Sequence, residues 1–185
     1  MRTEMSFQGE IIMLKKYIFA ALMLALFSVS GYSQNLGKVD ADLKGKINSA
    51  LTGYFAVKDS LVDSDLERTK EKAGALVTLI NAITDEKMSA AQKEFWAKLA
   101  TPLKTDAEHI RDTGDLEHQR SHFVHLSNNF YSLVNAFKAN KAEAYQHYCP
   151  MKKATWLSNS KEVRNPYYGS KMLDCGSVRA TLKKN

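Results

Sequence analysis

The chain has 185 residues, 44% apolar and 25% charged, with nine Gly and three Pro. These proportions fit one globular domain plus an appendage and exclude collagen-like, low-complexity and disordered readings. Lys and Arg exceed Asp and Glu by six, but residues 34–144 carry 15 basic and 16 acidic side chains while residues 145–185 carry 8 and 2. A nucleic-acid binder spreads its basic residues along one element with aromatic platforms between them. Here the basic end is short and rich in turn residues, so it reads as a solvated tail able to dock on an acidic partner, and nucleic acid is not expected.

Lys15 and Lys16 precede the apolar run from Tyr17 to Phe27, and Ser28, Ser30, Gly31 and Ser33 follow it. A positive start, a short apolar stretch and a small-residue exit predict a secretory signal peptide. The run is too short for a membrane span, which needs ~20 apolar residues. Cleavage is expected near Ser33–Gln34, with Ser30–Gly31 as the alternative, and Met13 makes a better start than Met1. Residues 1–33 are thus expected to be an N-terminal extension plus signal peptide, and 34–185 a single exported domain with no membrane span after cleavage. No cysteine near the cleavage point offers a lipid anchor.

Apolar positions Leu36, Val39, Leu43, Ile47, Leu51, Tyr54 and Leu61 recur every three or four residues, broken once at Lys58. That period predicts an amphipathic helix. Asp63 and Asp65 interrupt it and can cap a second helix through Leu66, Ala73, Val77 and Ile80. Ser89 opens a third through Phe95, Trp96, Leu99, Leu103, Ala107 and Ile110, which Pro102 should kink or split. Gly114 ends it. A fourth follows through Leu116, Phe123, Leu126, Phe130, Val134 and Phe137. The fold class is therefore mostly α: a four-helix up-down bundle over 34–144. Residues 145–185 differ, with aromatics, Pro and Gly implying an irregular Cys/Met segment packed on that bundle.

Phosphate-loop, zinc-protease, haem and serine-nucleophile motifs are absent, so no enzymatic activity is expected. The informative feature is sulfur. Cys149-Pro150-Met151 and Met172-Leu173-Asp174-Cys175 hold four of the five Met and Cys residues that follow the leader. In a strand Cys149 and Met151 share a face; in a helical turn Met172 and Cys175 do. Thiolate and thioether sulfur favour Cu(I), and by extension silver, over hard cations. His118, His122 and His125 fall on one stripe of the fourth helix, with His122 nearest the core edge and best placed to meet the cysteines. His147 joins Cys149 and Met151 if that stretch is a strand. Two cysteines in an oxidising compartment also suit a structural disulfide. Cys149–Cys175 would then stabilise the domain by ~3 kcal/mol on a chain-entropy estimate.

The strings Gln119-Arg120-x-His122-Phe123-x-x-Leu126-Ser127, Tyr148-Cys149-Pro150-Met151, Trp156-Leu157-Ser158, Asn165-Pro166-Tyr167-Tyr168-Gly169 and Met172-Leu173-x-Cys175-Gly176-Ser177-Val178 resemble the domain of unknown function three-three-four-seven. That family comprises stand-alone exported proteins and C-terminal modules of periplasmic copper/silver efflux adaptors. The resemblance runs from about Val39 to Leu182. It implies a helical bundle with the Cys/Met segment packed on it and a role in copper handling. It picks out His122, Cys149, Met151, Met172 and Cys175 as motif positions, the same set that the ligand chemistry favours as metal ligands, leaving His118, His125 and His147 as secondary candidates. With no membrane-fusion portion, the chain suits a free binding or delivery protein, its partner an efflux adaptor or another periplasmic protein. The alternative is a non-catalytic envelope interaction module stapled by Cys149–Cys175.

Overall fold

The computed structural model describes residues 36–185; the expected leader and its cleavage point lie outside the described residues. Four helices lead, α1 (Ala41–Val62), α2 (Leu66–Asn81), α3 (Ala90–Asp112) and α4 (Leu116–Phe137). Strands β1 (Ala144–Cys149), β2 (Ala154–Ser158) and β3 (Ser177–Leu182) follow.

Each helix starts where a short polar side chain can take up an orphan backbone N–H. Asp40 accepts from Asp42 N and Leu43 N, Asp65 from Arg68 N, and Asp115 from Glu117 N. Ser89 and Gln92 form a reciprocal capping box on α3. The apolar stripes then meet in one core, with Leu43, Ile47, Tyr54 and Leu61 of α1 facing Phe123, Leu126, Phe130 and Phe137 of α4. Tyr54 stacks on Phe123 at 5.1 Å. No helix of the described residues is long and apolar enough to cross a membrane.

Pro102 does not split α3, which runs unbroken from Ala90 to Asp112. The proline lies on the exposed side, where water can serve the carbonyl left without its N–H partner.

The Cys/Met segment packs on the bundle as expected but is more regular than its composition suggests. β1 is central in an antiparallel sheet of order β2-β1-β3, with Cys149 paired to Ala154 and His147 to Trp156. The basic end is therefore no simple solvated tail, since Ser177–Leu182 is a strand of this sheet. Arg179 and Lys161 lie over the Tyr148 and Tyr145 rings, and Lys183 pairs with Glu143. Cross-strand pairing on β1 supplied an order that turn residues alone did not announce.

Buried polar side chains seat the sheet. Tyr54 Oη bonds Ser127 Oγ at 2.7 Å and accepts from Leu157 N at 3.0 Å. Arg120, only 3% exposed, donates to Pro166 O, Leu61 O and Ser64 Oγ and pairs with Glu117. Gly169 permits this approach. Its φ is +55°, and a Cβ there would stand 2.9 Å from Val62 O and collide with Ser64 Oγ.

Candidate metal sites

The structure divides the predicted residues between two places. At the first, Cys149 and Cys175 bring their Sγ atoms to 3.6 Å with no disulfide bond between them. Cys149 ends β1, and the β1–β2 turn folds back so that Lys152 N donates to its sulfur at 3.4 Å. Lys153 closes that turn with φ +54°. Cys175 approaches from the other side on the loop before β3, braced by Asn165, whose Nδ2 donates to Cys175 O at 2.7 Å. The next residue, Gly176, lies flat on Trp156; a Cβ would come within 2.8 Å of the indole.

The two thiols are electrostatically unequal. Burial alone would push the Cys149 thiol up, but donors from Lys152 N, the Asn165 amide, Cys175 and Met151 N together hold it below its ordinary value. Cys175 is pushed up, chiefly by its hydrogen bond to Cys149, then by burial and by that neighbour's charge. Of the two, Cys149 is therefore the easier to deprotonate.

Met151 follows Cys149 by two residues and Met172 precedes Cys175 by three. Met151 is 62% exposed and Met172 41%, and with Val178 they are the exposed large hydrophobic side chains among the described residues. Cys175 N donates to Met172 O, tying that methionine's turn to the thiol.

His122 belongs to the second place. It sits at the core edge as expected, but on the edge facing α3. On α4, Arg120 and Phe123 point toward the 165–169 loop, and 100° per residue turns His122 away from both. Its Nδ1 donates to Asp106 Oδ1 of α3 at 2.9 Å, and its ring stacks on His109 at 4.3 Å and lies 4.7 Å from His118. The ligating nitrogens of His109, His118 and His122 all lie within 4.8 Å of one another, so the three can hold one metal ion.

His109 escaped the sequence reading. The signal was there in the helical hairpin, where residues equally far from a turn become neighbours. Asp106 and His122 are each eight residues from Gly114, while His109 and His118 are five and four.

The remaining histidines join neither place. His125 is exposed on α4. His147 is buried, stacked on Trp156 at 5.0 Å, and bonds Ser160 O through Nε2 at 3.0 Å. Burial, above all, holds its pKa below the usual histidine range.

Fold and sites define a helical bundle able to hold a metal ion, with a sulfur-bearing sheet docked on it. The chain matches the family model described as protein of unknown function (DUF3347) over residues 50–142 and belongs to that family. The matched stretch covers most of the bundle, including all three clustered imidazoles, and stops before β1. No curated protein and no solved structure matches the chain.

Proposed function

We propose that this protein is a periplasmic, non-catalytic carrier of Cu(I), also able to take silver, that binds the ion at Cys149 and Cys175 and passes it to an efflux adaptor or another envelope protein. The observation that carries the reading is the 3.6 Å approach of the two sulfurs. With metal–sulfur bonds of about 2.3 Å, an ion between them needs the sulfurs to part by about 1 Å or less. The lowered Cys149 pKa favours the thiolate that a soft ion requires. Exposed Met151 and Met172 add thioether donors at the rim, where an incoming partner can reach them.

The reduced protein, titrated with Cu(I) against a competing chelator, is expected to hold one ion that a Cys149→Ser/Cys175→Ser variant does not retain. Equal affinity in the two would remove this site. The same approach of sulfurs supports a second reading, a disulfide-stapled interaction module. Intact mass with and without reductant separates the two, since a deficit of two hydrogens in most molecules favours the staple and free thiols favour the metal.

A further inference from the structure

The imidazole cluster lies at a different place from the sulfur pair and has a different chemistry. His109 of α3 and His118 and His122 of α4 offer three borderline nitrogen donors and no sulfur. Such a donor set suits divalent d-block ions, Zn(II) or Cu(II), better than Cu(I), and rejects Mg(II) and Ca(II), which require oxygen.

The site also has a supporting group. His122 Nδ1 donates to Asp106 Oδ1, which fixes its tautomer and leaves Nε2 as the ligating atom. Asp106 is only 8% exposed, so this carboxylate is placed by the helix packing. A carboxylate behind a ligating imidazole holds the ring in position and strengthens it as a donor. Beside the imidazoles lies an open cleft of about 400 Å³ lined by Thr105, Glu108, His109, Asp112, Thr113 and His118. Its carboxylates favour an entering cation, and its openness leaves coordination positions free for water or an incoming ligand.

We propose that His109, His118 and His122 form a second metal centre for a divalent d-block cation, open to solvent and oriented by Asp106. The ring nitrogens already lie within 4.8 Å of one another, and the exposed His109 and His118 rings can swing inward to close on an ion. The open position makes this an exchange site, unlike structural zinc sites, which close all four positions with protein ligands.

The test uses the full chain carrying Cys149→Ser/Cys175→Ser, so that failure of the sulfur site cannot be mistaken for failure of this one. Calorimetry with Zn(II) is expected to give one ion per chain, with no heat for Mg(II). His109→Ala/His118→Ala, at two exposed positions, should lose that ion while keeping the helical circular dichroism. Asp106→Asn, a positioning variant, should weaken Zn(II) about 10–100-fold and shift the His122 ring resonances in the metal-bound spectrum. No Zn(II) bound by the parent, or an unchanged stoichiometry and affinity in the double histidine variant, would overturn the proposal.

Discussion

The two sites sit on one domain yet are assembled in opposite ways. The imidazole site straddles a single turn. His109, His118 and Asp106 meet His122 because α3 and α4 run antiparallel around Gly114, so sequence neighbours supply every part. The sulfur site joins residues 26 positions apart through a hairpin, a loop and the buried Asn165, and its electrostatics come from backbone N–H groups as much as from side chains. One site inherits its shape from the bundle. The other depends on how the sheet is fastened to that bundle, and the fastening is polar.

That contrast can be broken first at Arg120. Arg120→Ala leaves Pro166 O without its buried donor and removes the donors to Leu61 O and Ser64 Oγ, so unfolding free energy should fall by about 3 kcal/mol, measured in urea. Alkylation of the thiols should speed up as the 165–169 loop loosens. Unchanged alkylation would show that the sulfur site does not rely on this fastening.

Tyr54→Phe strikes the same seam with less force. It strands Leu157 N inside the core and takes one partner from Ser127 Oγ, at a cost of about 1–3 kcal/mol read from thermal melting. A third experiment sharpens the inequality of the thiols. Thiolate absorbance against pH should rise in two steps, one below the ordinary cysteine value of 9.0 and one above it. Cys175→Ser should abolish the upper step and, by removing a hydrogen-bonding thiol, move Cys149 upward. A single step near 9.0 in the parent would deny the coupling.

The smallest effect concerns His147. Its pKa is lowered on folding, so the unfolded chain binds more protons once pH drops below about 6.5. Stability contributed by the neutral ring is complete above that value and lost as pH falls through it toward the folded pKa. His147→Gln should flatten the slope of stability between pH 7 and 5, and an unaltered slope would assign the acid sensitivity elsewhere.

The four helices were legible because one buried face repeats every three to four residues, and Asp65, Ser89 and Asp115 mark their starts. Pro102 leaves α3 unsplit because it faces water, and periodicity alone does not say which side of a helix water serves. The meeting of Cys149 and Cys175 was foreseen as chemistry, whereas Asn165, which braces both, stands in the sequence only as the head of an Asn-Pro motif, with nothing to tie it to sulfur. His122 was read from its own helix alone. Its true neighbours appear only when two stripes are folded about Gly114, a pairing that one helix's periodicity does not contain.

Strand β1 takes partners from both sides, and the later one, β3, is nearly the last stretch of the chain. Consecutive helices pair with segments adjacent in sequence, whereas Tyr54 must find Ser127 73 positions away and Leu157 103 positions away. Non-local pairings of that kind form late because a long loop has to close before any contact offsets it. The thiols should therefore be the last groups to become shielded during refolding. In pulse labelling, alkylating agents would still reach both cysteines after the helical amides have stopped exchanging.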